Sequence, residues 1–164
     1  MKILTIGLLL IIPFTLFAQN KIAGKYRDHF SNLIHLNADN TFNFTWHFDL
    51  SASWTKGTWI SQNDTIYFHF IPTFDTLSCK NKKGFLTDTL ILSTNEISER
   101  LTQEEYLGRG LSSRGQNLTP CPDKLFFKRQ KLFGIKDGKL ITKKIRGFWT
   151  KKKLPPWFFR IDAE

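Results

Sequence analysis

Acidic residues are scarce in this chain of 164. Fourteen Asp and Glu stand against twenty-four Lys and Arg, a formal charge of +10. Cysteine is scarcer still, at two, which excludes a disulfide-dense miniprotein. No glycine period marks a collagen, and no sustained heptad marks a coiled coil. No stretch reaches the roughly twenty apolar residues of a spanning helix, so a polytopic membrane protein is excluded as well. Aromatic content (15%) is too high, and charge density (23%) too moderate, for a disordered tail. The length suits one domain, because a second would need its own core.

The N-terminus has a short positive start (Met1, Lys2), an apolar stretch from Ile3 to Phe17 broken by Gly7 and Pro13, and a cut point at Ala18-Gln19. This is a signal-peptide pattern, so residues 1–18 are expected to be removed, leaving 19–164 in the periplasm or outside the cell. The alternative is an uncleaved leader that anchors the chain. Export would let Cys79 and Cys121 oxidise, closing a loop of about forty residues worth about 4 kcal/mol in the chain-entropy model. The other reading is two separate buried thiols.

From Lys21 to Leu92 the pattern is β. Thr41 to Leu50 alternates without a break, apolar at even and polar at odd numbers, the two-residue period of a half-buried strand. Asp39-Asn40 supplies a turn before it, and Leu33–Leu36 supplies the hairpin partner. Lys56 to Ile60 and Thr65 to Ile71, split by Gln62-Asn63-Asp64, make a second hairpin, and Leu86–Leu92 continues the meander. Asn95-Glu96 and Thr102-Gln103-Glu104-Glu105 are capping-type helix starts, which predicts one or two short helices near 95–107. Gly108 to Pro122 reads as a loop, and strands resume at 124–128, 131–135, 139–142 and 157–161. Asp-Thr-apolar recurs at Asp64, Asp75 and Asp88, read as a turn entering a strand. The fold expected is mainly β, an antiparallel meander closing into a barrel (or a sandwich) with a short helical insertion.

Gly24-Lys25-Tyr26, the Asp39-Asn40-Thr41-Phe42 turn and Gly57-Thr58-Trp59 carry a resemblance. Between Ala23 and Phe70 the chain resembles small exported bacterial β-barrels of the lipocalin-like kind. Tyr26 stands where lipocalins carry a tryptophan. The resemblance implies a barrel with an interior ligand site, and it implies no catalytic residue.

Little chemistry is spelled out. The cysteines lack Cys-x-x-Cys spacing and the histidines lack His-Glu-x-x-His spacing. Gly108 to Gly115 has neither a nucleophile elbow nor a phosphate-loop ending. The chain is therefore read as a non-enzyme without a cofactor. Three site readings follow. An apolar or amphipathic small molecule inside the barrel would meet Trp46, Trp54 and Trp59 as wall or rim. His35, His47 and His69 would converge on a metal only if their strands shared a sheet face, giving a metal-dependent enzyme. The third rests on charge. Lys124 to Arg160 carries thirteen basic residues against Asp137 alone, whereas Asn20 to Ser78 carries four basic and five acidic. Lys151, Lys152, Lys153 and Trp157 would dock on anionic envelope lipids or glycans, with nucleic acid the poorer fit for an exported protein.

Overall fold

Thr41 to Phe48 forms the strand that its alternation predicts, and the barrel is built around it. The structure is a computed structural model describing residues 21–80, 83–110, 114–148 and 150–161. The leader at 1–18 lies outside the described residues. In chain order the strands are β1 (Gly24–Arg27), β2 (Leu33–Leu36), β3 (Thr41–Phe48), β4 (Ser51–Gln62) and β5 (Thr65–Phe70). An insertion follows: β6 (Phe74–Lys80), β7 (Leu86–Leu92), β8 (Arg100–Thr102), the helix α1 (Gln103–Gly110) and β9 (Arg114–Gln116). The chain then returns as β10 (Lys124–Lys128), β11 (Lys131–Lys136), β12 (Lys139–Leu140), β13 (Ile145–Arg146), β14 (Lys153–Leu154) and β15 (Phe158–Arg160). No helix among the described residues is long and apolar enough to cross a membrane.

Strands β1 to β5, β10, β11 and β15 pair antiparallel in sequence order, and β15 closes on β1. This is a closed eight-stranded up-and-down barrel. Closure decides between the two expected forms: it is a barrel, not a sandwich. Two-residue turns at Asn63-Asp64 and Arg129-Gln130 have positive φ at both positions, matching the strand twist of tight hairpins.

Small residues on β4 face large ones on β3. Gly57 lies opposite Phe42, Thr55 opposite Phe44, and Ser53 opposite Trp46. The barrel narrows and fills where Phe42, Phe44, Leu36, Ile66, Leu125 and Leu132 meet, all of them buried. Ile22 plugs this closed end, and the Tyr26 hydroxyl donates to its carbonyl at 2.6 Å. Core packing thus accounts for Phe42 and Phe44. Burial falls off along β3 toward Trp46 and Phe48, which lie at the opposite, open end.

The insertion departs from the expected meander. β7 pairs not with the barrel but with β6, a strand absent from the sequence reading, in a separate three-stranded sheet, β7-β6-β8. Asp75 occupies a buried strand position and accepts the Glu99 N–H at 2.8 Å. Only Asp64 of the three Asp-Thr-apolar triplets is a turn residue; Asp75 and Asp88 lie inside strands. No helix starts at Asn95. The one at Thr102 does form, as a capping box: Thr102 Oγ1 accepts the Glu105 N–H at 3.3 Å, and the Glu105 carboxylate accepts the Thr102 N–H at 2.8 Å. That backbone N–H and the Thr102 hydroxyl hold the Glu105 carboxyl below its usual range. The expected loop at 108–122 contains the end of α1 and β9, which runs parallel to β4 along the edge that β5 leaves.

Candidate functional site at the open end of the barrel

The open end is framed by three segments far apart in sequence. One is the β1–β2 loop, Asp28 to Asn32. Asp28 is buried, and its Oδ1 accepts the N–H groups of Phe30 (2.8 Å) and Asn32 (2.9 Å), while Oδ2 accepts Asn32 Nδ2 at 2.7 Å. A carboxylate with three donors organises the loop from within, as an Asx-type turn does. The amide oxygen of Asn32 is left buried without a protein partner. The second segment is the end of β3 with its turn, Trp46 to Asp49. The third is the hairpin β13–β14 with its flanks, a strap across the mouth.

Together they enclose a cavity of about 850 Å³, open to solvent on one side. Trp46 and Phe48 stack at 6.2 Å between ring centroids, and Phe48 meets Phe148 of the strap edge-on at 4.6 Å. Ile145, Leu154 and Pro156 add apolar surface from the strap, while Asp28, His29, Ser31, Asn32, His47, Asp49, Arg146 and Thr150 form the polar part of the lining. The volume falls within the range of small-molecule sites, and the wall combines aromatic rings with polar groups.

Comparison with family models, with curated proteins and with solved structures finds no match for this chain. Its function is therefore read from its own residues.

The three tryptophans separate. Trp46 lines the cavity. Trp59, 1% exposed, belongs to the packed core, its indole N–H donating to the Asn37 carbonyl at 3.1 Å. Trp54 points to the outer face of β4, donating to the Thr94 carbonyl at 3.1 Å with Lys56 Nζ 5.7 Å from its ring. Period two dictates this split: on β4 the odd positions are buried, so an even-numbered tryptophan faces out.

The three histidines do not converge. His47 pairs across from Ala52 and His69 across from Thr58, six residues along β4 and thus about 20 Å apart. His35 pairs with Asn43, four residues along β3 from His47, about 13 Å away. Among the described residues no three His, Cys, Asp or Glu side chains gather as metal ligands. The metal-enzyme reading is corrected on that geometry. His29, which sequence reasoning passed over, does reach the mouth, its ring 5.2 Å from Phe159.

Lys151, Lys152 and Lys153 are exposed on the strap. Trp157 is half-buried, its ring 5.4 Å from Phe133 with Lys131 Nζ 5.5 Å from its centroid. Phe148, near the lysines in sequence, is 74% exposed. In the sequence Phe148 stands between Arg146 and Lys151, an aromatic residue set among the basic ones.

The cysteines are free thiols, which corrects the disulfide reading. Cys79 sits on β6 in the separate sheet, whereas Cys121 belongs to the barrel core. Burial, aided by Asp123, pushes the Cys121 thiol up from 9.0 to about 12. An unfolded thiol loses its proton near pH 9 while the folded one keeps it. Native stability should therefore fall between pH 9 and 12, by up to about 1.4 kcal/mol per pH unit. Iodoacetamide should label Cys79 in the native protein and Cys121 only after unfolding. Mass spectrometry of native and denatured digests reads this directly, and equal labelling of both under native conditions would contradict the burial.

Proposed function

We propose that the protein is an exported, non-catalytic binding protein whose open barrel end takes an apolar or amphipathic small molecule. The leader pattern of residues 1–18 supports export. One observation carries the binding reading. The inward face of β3 continues past the packed core as Trp46 and Phe48, into a cavity of about 850 Å³ under the strap. Rings that would be core in a filled barrel are instead wall, and exposed apolar surface of this kind gains by covering itself with a ligand.

An uncharged fluorescent apolar probe such as N-phenyl-1-naphthylamine tests it. The expectation is saturable binding at one site per chain. Trp46→Ala should weaken binding by about tenfold or more, since burial of one large side chain stabilises by about 1.5–3 kcal/mol. Trp54→Phe, on the outer face, should leave affinity unchanged. The proposal fails if the probe does not bind, or if Trp46→Ala and Trp54→Phe behave alike.

A further inference from the structure

The strap poses a question that ligand binding does not answer. Between Ile141 and Leu154 six residues are basic (Lys143, Lys144, Arg146, Lys151, Lys152 and Lys153) and none is acidic. All six are exposed, and none makes an ion pair with a described residue. The register worsens their repulsion. Arg146 lies directly across from Lys153, so two cations share one face of a hairpin whose strands are two residues each. Like charges in cross-strand positions destabilise a hairpin. This strap has no carboxylate of its own to relieve them. Asp28 and Asp49 across the mouth are the nearest carboxylates among the described residues and line the cavity with Arg146. Neither pairs with a strap cation, so an anion from outside lowers the cost.

Exposed apolar groups stand among these charges. Phe148 is 74% exposed and Ile145 46% exposed, and both border the open apolar cavity. A surface that offers anions alone would satisfy the cations and leave Phe148 in water. A bilayer surface meets both, with headgroup phosphates for Lys and Arg and the headgroup–acyl boundary for the phenyl ring. We infer that the open end of the barrel docks, strap first, on an anionic lipid bilayer, with Lys143, Lys144, Arg146 and Lys151 to Lys153 at the headgroups and Phe148 at the boundary beneath them. This inference stands apart from the ligand proposal. An empty cavity would not remove the charges, and a soluble carrier would not need them.

Flotation with phosphatidylcholine vesicles, with and without phosphatidylglycerol, tests the inference. Binding is expected only where phosphatidylglycerol is present, and it should weaken as salt rises. Changing Lys151, Lys152 and Lys153 together to Gln should lower vesicle affinity on the order of a hundredfold, at about 1 kcal/mol for each lysine near the surface. Phe148→Ser should lower it about tenfold while leaving every charge in place. All variants share one N-terminus, so differences among them belong to the strap. Far-UV circular dichroism checks that each remains folded, as expected for changes at exposed positions. Equal binding to both vesicle types would overturn the inference, as would a triple variant that binds like the parent. A soluble polyanion such as heparin or duplex DNA bound more tightly than the vesicles, with Phe148→Ser without effect, would also overturn it and assign the strap to a polyanion.

Discussion

Gly57→Val is expected to cost about 4 kcal/mol in urea unfolding, enough to leave much of a marginally stable domain unfolded. A Cβ built at Gly57 falls 2.0 Å from the carbonyl oxygen of His69 and 3.0 Å from Phe42 Cε1. The first of these is backbone, held in the β4–β5 ladder that pairs Thr58 with His69. Rotamer choice cannot move a Cβ, so relief requires the ladder itself to shift. Gly57→Ala should therefore show most of the effect, beyond the 1–3 kcal/mol typical of overpacking, and Val should add the collision with Phe42. The position is crowded for a reason. Gly57 lies between Phe42 on β3 and Phe70 on β5, whose ring centroids approach to 6.1 Å across it. A glycine at a strand interior lets two rings close over the backbone and lets the strand bend around the barrel. Gly108→Ala is the matched control. It sits in α1, where a Cβ meets nothing within 4 Å, so it should be neutral or slightly stabilising. A cost under about 1 kcal/mol for Gly57→Ala would show that the ladder is looser than described.

The same residues show what could be read beforehand. β3 was legible because one face is buried, which forces strict alternation from Thr41 to Phe48. The capping box at Thr102 was legible because its hydrogen bonds are local. Features that depend on distant partners left no such mark. Asp75 is buried inside β6 because Glu99 supplies a donor from another strand end, and before that partner is known an aspartate argues for a turn. β7 shows apolar residues at Leu86, Leu90 and Leu92 that look like core, yet all three are exposed in the separate sheet. The candidate site was half visible. Residue type alone makes Trp46, Trp54 and Trp59 equal candidates for wall or rim, and only side-chain parity on β4 and position along the barrel send Trp54 and Trp59 elsewhere. Asp28 and Phe148 come from segments with no periodicity, and only closure of the barrel brings them to one mouth.

Arg160→Ala should destabilise the protein by about 2 kcal/mol, and Arg160→Lys should recover only part of the loss. Arg160 is one of the thirteen basic residues of the C-terminal third, and by composition it belongs with the solvent-facing lysines. Its surroundings set it apart. Its guanidinium donates through Nη1 to the Lys21 carbonyl and to Gln130 Oε1, each at 3.0 Å, and through Nη2 to the Ala23 carbonyl. It lies 5.8 Å from the centroid of the Tyr26 ring. One planar group thus ties the segment before β1, the β10–β11 turn and the last strand together at the closed end. β15 is only three residues long and contributes few ladder bonds to β1 and β11. Side-chain donors must do what a longer strand would do with its backbone. A lysine can reach one or two of these acceptors but cannot present a rigid fork to several at once or lie flat on an aromatic face. The alanine variant leaves carbonyls at the seam without their donor and frees Ile22 to leave the plug. Hydrogen exchange should register this as faster exchange at Arg27 and Phe159, which pair across the β1–β15 seam, before any change at Phe44 in the middle of β3. Uniform loss of protection across β1 to β5 would mean that Arg160 supports the whole core; no loss at all would mean that the short ladder closes the barrel unaided.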